Sequence, residues 1–137
     1  YIKIVIKYWS DLMIINTTSA PEAIGPYSQA IKVENHIYIS GCCPFNTHDG
    51  SVMGNDIETQ TLKAMNNLKA IIEAAGASMD DIVKTTCFIK DIKDFPIFNN
   101  IYSSFFTSGK YPARSCVEVS RLPKDVLIEI EAIAYKK

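Results

Sequence analysis

"LIEIEAIAY", residues 127–135, carries no glycine, proline or asparagine, and its three isoleucines favour extended backbone. It reads as the last strand of a sheet. Leu127, Ile128, Ile130, Ala132, Ile133 and Ala134 serve both faces of that strand, so one sheet face is too apolar for solvent. Such a face predicts an oligomer. Glu129 and Glu131 lie two apart and therefore share a face. They mark either the solvated face of an edge strand or a cleft in which one carboxylate acts as acid, base or water-positioning group.

Working upstream, Leu122-Pro123-Lys124-Asp125 is a turn, and Ala113 to Val119 is a strand with Arg114 at its mouth. A guanidinium is always charged and is seldom buried without a partner. Arg114 therefore faces water, pairs with Glu129 or Glu131, or grips a carboxylate that arrives as a ligand. Cys116, two residues on, invites a nucleophile reading, although no histidine lies near it in sequence. Asp94 can cap a helix with Pro96 in its first turn. Ile97, Ile101 and Phe105, joined by Phe98 and Tyr102, make its apolar face, and Ser108-Gly109 ends it. Ile82 to Ile89 is a β-branched strand. Before it, Asn55 or Asp56 can cap a longer helix with an early acid at Glu58. Leu62, Met65, Leu68, Ile72 and Ala75 recur at helical spacing, and Gly76 stops it.

Pro44 to Gly54 is loop-like. Ser28–Val33 and His36–Ser40 form a hairpin about Glu34-Asn35, ended by Gly41. Tyr27 follows the Gly25-Pro26 turn and starts the first strand, as packing or as a site residue. Ser40-Gly41 is either a simple turn or a place where backbone approaches a ligand closely. The order is ββαβαββ. The fold class is α+β: a single sheet with two helices on one face, with room for one more strand at the front.

The chain has 137 residues, 47% of them hydrophobic and 21% charged, which suits one soluble globular domain. A net charge of -1 and scattered lysines leave no basic patch, so no nucleic-acid partner is expected. Four cysteines without a C-x-x-C pair suggest no disulfide framework; they read as small hydrophobes in a reducing compartment. His36 and His48 lack metal-ligand spacing, so no metal is expected. Nucleotide-loop and zinc-deaminase motifs are missing from the sequence. Residues 1–12 are too short to span a membrane, and no membrane partner is expected. They read as an extension, with residues 13–137 as the single domain and Met13 as a natural start. The extension is upstream sequence, part of a targeting segment, or an edge strand. A cytoplasmic location is expected, or an organellar one if residues 1–12 belong to a targeting segment.

Taken together, Ala20-Pro21-Glu22-Ala23-Ile24-Gly25-Pro26-Tyr27-Ser28-Gln29-Ala30, Ile39-Ser40-Gly41, Pro112 to Val119, and Leu122 to Ala134 resemble the RidA (YjgF) family of reactive-intermediate deaminases, also known as L-PSP proteins. The resemblance runs from about Thr17 to Lys137. It implies a chorismate-mutase-like mixed sheet, a homotrimer and clefts between subunits. It also implies that the substrate is a 2-imino acid released by pyridoxal-phosphate dehydratases, hydrolysed without cofactor to a 2-oxo acid and ammonia. By resemblance Arg114 grips the substrate carboxylate, and Glu129 handles water or the proton. Tyr27 shapes the pocket, and Ser40, Gly41, Asn99 and the backbone at Cys116 contact substrate. The resemblance thus implies a 2-iminobutanoate/2-iminopropanoate deaminase. An endoribonuclease or translation inhibitor, and a non-catalytic small-acid-binding or chaperone-like trimer, are the alternatives. One departure stands out. The family often has Gln after Ser-Gly, whereas here Cys42 and Cys43 follow Ser40-Gly41, which removes an amide near the cleft.

Overall fold

The computed structural model describes residues 11–137. The readings of residues 1–10 lie outside the described residues. Among the described residues six strands form one sheet in the order β1-β2-β3-β6-β4-β5. They are β1 (Leu12–Ile15), β2 (Ala30–Val33), β3 (His36–Cys42), β4 (Ile82–Ile89), β5 (Ala113–Glu118) and β6 (Ile128–Tyr135). Two helices, α1 (Ile57–Ala74) and α2 (Phe95–Ser104), cross over between strands. β4 and β5 run parallel, joined through α2, and every other pair is antiparallel. The expected ββαβαββ order stands, with a front strand added. That strand, β1, pairs with β2 from Leu12 onward, one residue before Met13.

β6 is central because its alternation serves two environments. Ile128, Ile130, Ala132 and Ala134 are buried in the main core beneath the helices. Glu129, Glu131, Ile133 and Tyr135 take the other face. On that open face Ile31, Tyr38 and Ile133 stand in register across β2, β3 and β6. Tyr38 is 48% exposed there, so an apolar row faces outward. At one end of the open face the loops around 45 and 122–126 fold over it. They build a second small core of Cys43, Phe45, Leu122 and Val126.

The ends of α1 follow its sequence. Asp56 accepts from the Thr59 amide at 2.8 Å. Gly76, at φ +81, closes the helix with Gly76 N–H to the Glu73 carbonyl and Ala77 N–H to the Ile72 carbonyl. The buried face carries Ala64, Met65, Leu68 and Ile72, but Leu62 is 50% exposed. Thr61 holds the inward position instead, and the next residue is turned about 100° away from it. α2 also differs from its expected face. Phe98 and Tyr102 are buried, whereas Ile97 lies outward and Ile101 is half-buried. The helix ends at Ser104, and Phe106 beyond it returns to the core. Asp94 makes no side-chain cap; Asp91 accepts from the Lys93 amide instead.

Candidate active site

The first group of expected site residues surrounds a cavity of about 400 Å³. Tyr27, Ser40, Gly41 and Glu129 line it, together with Cys43 and Asn67. A β-bulge builds this corner. Ile39 pairs with Ala132 and Cys42 with Ile130, so Ser40 and Gly41 together oppose one residue. Sequence reading ends the strand at Gly41, but it continues to Cys42. The extra residue returns Cys42 to the core face, where it is buried. The Cys42 thiol turns to the Ser40 carbonyl at 3.4 Å, and burial raises its pKa.

Gly41 is needed for a reason of space. A Cβ there would overlap the Glu129 carboxylate, with Cδ only 2.8 Å away. Glu129 is half-buried over this backbone. Burial raises its pKa, the nearby Cys43 thiol opposes the rise, and the neighbouring Glu131 adds a smaller push upward. Ser40 Oγ donates to the Ser28 carbonyl at 2.7 Å, which leaves its lone pairs for a donor on a ligand. Tyr27 sits in a tight turn before β2 rather than in the strand itself, its amide bonded to the Gly25 carbonyl. Its ring is 47% exposed and borders both the cavity and a groove on the open sheet face.

Two positioning residues escaped sequence reading. Gln29 is buried, accepts from the Thr17 amide and donates to the Thr17 and Pro21 carbonyls, tying residues 17–21 to the cavity wall. Asn67 of α1 donates to the Cys43 and Phe45 carbonyls and holds the chain after the bulge. A polar residue on an otherwise apolar helix face was the only available signal.

Arg114, Asn99 and Cys116 form a separate group. Arg114 stands opposite Thr85 on β4, and Thr85 stands opposite Ala132 on β6; both are core-facing. Glu129 and Glu131 point to the other face, opposite Phe88 and Thr86. The salt-bridge reading of Arg114 therefore fails on strand parity, with β4 lying between the two strands. Among the described residues no carboxylate pairs with Arg114. Its Nη2 donates to Asn99 Oδ1 at 2.9 Å. The guanidinium carbon lies 4.7 Å from the Tyr102 ring centre, 5.3 Å from Phe95 and 5.7 Å from Phe98. Tyr102 is itself fixed by a 2.7 Å hydrogen bond with Thr85. The result is a preset cation on the free edge of the sheet, with donors to spare. Cys116 is half-buried beside it, and burial raises its thiol pKa although Arg114 opposes this. A thiol held protonated is a poor nucleophile.

One chain thus carries two partial sites: a carboxylate cavity on the open face and an arginine cluster at the β5 edge. Among the described residues no group of three or more His, Cys, Asp or Glu could hold a metal ion. No helix among them is long and apolar enough to cross a membrane.

The family model described as endoribonuclease L-PSP matches residues 17–136. A RutC family protein of Pyrococcus abyssi is 54% identical over 124 residues, 90% of this chain and 97% of that protein. A protein of Escherichia coli named 2-iminobutanoate/2-iminopropanoate deaminase is 52% identical over 125 residues, 90% of this chain and 97% of its own. The crystal structure of Escherichia coli TdcF with bound serine superposes with a TM-score of 0.86 at 44% identity, covering 91% of this chain and 99% of that one. Matches of this extent, with both partial sites inside residues 17–136, place the chain in the RidA family, described also as endoribonuclease L-PSP.

Proposed function

We propose that the protein hydrolyses 2-imino acids to 2-oxo acids and ammonia, in clefts formed where copies of the chain meet as a homotrimer. The observation that carries this reading is the split site. Among the described residues Arg114 has spare donors and no carboxylate partner, while Glu129 has a cavity and no cation partner. A second copy docked on the apolar open face would bring one group to the other. Serine bound by TdcF supports a ligand with a carboxylate beside a nitrogen-bearing carbon, and the named deaminase relative supports turnover.

The chemistry needs few groups. Arg114 takes the substrate carboxylate in a two-bond fork and sets the position of the imine carbon. Glu129, its pKa raised by burial, accepts a proton from water as the oxygen attacks that carbon. The imine nitrogen takes a proton from solvent, giving a 2-amino-2-hydroxy acid. Glu129 then returns its proton to the amine, the carbon–nitrogen bond breaks, and ammonia leaves as the hydroxyl proton passes back to solvent and the carbonyl forms. Tyr27 walls the cavity and orders the water.

Ribonuclease action needs groups that attract phosphate, and Glu22, Glu129 and Glu131 in the cavity wall repel it. The test is a dehydratase acting on serine or threonine, with ammonia and 2-oxo acid release followed with and without this protein, and RNA cleavage run in parallel. Faster release with intact RNA supports the reading. Unaccelerated release overturns it.

A further inference from the structure

We propose that Lys124 is a positioning residue for side-chain specificity: it latches the strained turn at Pro123–Asp125 to Phe45 and Gly50, and so fixes the apolar wall against which the substrate's side chain packs. The proposal rests on the reading of Arg114 and Glu129 as the groups that meet the carboxylate and the reacting carbon. It deepens that reading by naming what meets the remaining substituent.

The turn is held in a conformation its residues disfavour. Lys124 and Asp125 have φ of +51 and +57, two left-handed residues in succession and neither a glycine. Such backbone persists only where its surroundings enforce it. Leu122 and Val126 anchor the two ends in the small core. The Val126 amide donates to the Pro123 carbonyl at 3.2 Å. Arg121 donates to both Asp125 carboxylate oxygens, at 2.7 and 3.1 Å. From this turn the Lys124 side chain reaches the loop that follows β3. Its Nζ donates to the Gly50 carbonyl at 2.7 Å, 74 positions away in sequence, and lies 4.7 Å from the Phe45 ring centre.

The latch joins two parts of one wall, because Phe45 and Pro123 both line the cavity. That wall stands beside Glu129: Glu129 is opposite Phe88 on β4, and Phe88 packs on the small core that holds Phe45. The carbon of an imino acid carries three substituents. In the proposed mechanism the carboxylate goes to Arg114 from a second copy, and the nitrogen meets solvent and Glu129. The side chain is left with the Phe45–Pro123 wall, where an apolar group gains by leaving water. The position of that wall sets how large a side chain packs well, and an apolar pocket discriminates by such fit.

The test compares wild type with Lys124→Met, which keeps the stem without cation or donor, and Lys124→Arg, which keeps both. Calorimetry gives Kd for the product acids pyruvate, 2-oxobutanoate and 4-methyl-2-oxopentanoate. Kinetics give kcat/KM for the matching imines, made by an amino-acid oxidase from alanine, 2-aminobutanoate and leucine. With the latch gone the wall yields. Lys124→Met should then lose about 2- to 5-fold on the smallest acid relative to the largest, and Lys124→Arg should keep the wild-type ratio. The ratio cancels the lost charge, which all three carboxylates feel alike. In turnover the change should fall on KM more than on kcat. An unchanged ratio in Lys124→Met overturns the proposal. So does a uniform loss across the series that tracks a lower Tm, which would make Lys124 merely structural, or a wild type that binds none of the acids. Should wild type bind them yet hydrolyse no imine, the deaminase reading falls, and the ratio of Kd values still decides the role of Lys124.

Discussion

Replacing Arg114 with alanine separates a ligand clamp from a structural cation. Its guanidinium spends one Nη2 bond on Asn99 and rests against three aromatic rings, so its plane is preset and further N–H groups remain for a substrate carboxylate. Hydrogen bonds to charged groups are worth roughly 1.5–3 kcal/mol each. Losing a two-bond fork therefore removes about 3–6 kcal/mol, on the order of 10² to 10⁴ in kcat/KM. The stability cost should be small by comparison. No carboxylate of the chain pairs with Arg114 among the described residues, so no buried charge is orphaned. What is lost is stacking on Tyr102, Phe95 and Phe98, about 1–2 kcal/mol. Arg114→Lys should rescue little, because an ammonium cannot reproduce the planar fork. The assay is imine hydrolysis coupled to a dehydratase, with denaturant unfolding and light scattering on the same preparations. An Arg114→Ala protein that unfolds far more easily, yet turns over normally per folded assembly, would refute the clamp.

Other outcomes follow from the same geometry. Gly41→Ala places a methyl group where the Glu129 carboxylate lies, and should cut kcat by at least about 10-fold by displacing it, with assembly by light scattering unchanged. Glu129 has a raised pKa, so over the window between its unfolded and folded values the native state holds more proton than the unfolded chain. Its contribution to stability is therefore present at low pH and lost as pH rises through that window. Glu129→Gln should accordingly melt higher than wild type at neutral pH and lose that advantage in acid, as read from Tm against pH, while activity is lost. Cys116→Ser should keep most of its activity, since burial holds that thiol protonated; a loss as deep as that of Arg114→Ala in a folded protein would restore the nucleophile.

How much was legible depended on how local each signal was. The β6 alternation and both ends of α1 could be read because period, cap and C′ glycine act within a few residues. Leu62 and Ile97 were misplaced because spacings of three and four fit two adjoining helix faces, and only the neighbours they pack against choose between them. The Ser40-Gly41 bulge depends on its pairing with β6, and the need for glycine there on Glu129, nearly ninety positions away. Arg114, Tyr27 and Glu129 were marked by residue type and resemblance. Their separation onto opposite faces was invisible, because it follows from the strand order β6-β4-β5, which no local pattern encodes. The aromatic cradle of Arg114 was hidden for the same reason: Phe98 and Tyr102 read only as core.

The central claim, that one active site is built from two copies, is tested most directly by complementation. Arg114→Ala and Glu129→Gln chains are each expected to be inactive. Unfolded together in equal amounts and refolded, they should assemble at random. A cleft then works wherever the copy giving Arg114 is the Glu129 variant and the copy giving Glu129 is the Arg114 variant. For a random trimer that is about a quarter of clefts, so the mixture should recover roughly a quarter of wild-type imine hydrolysis. A refolded mixture that assembles normally yet stays at the level of the separate variants would contradict the shared site.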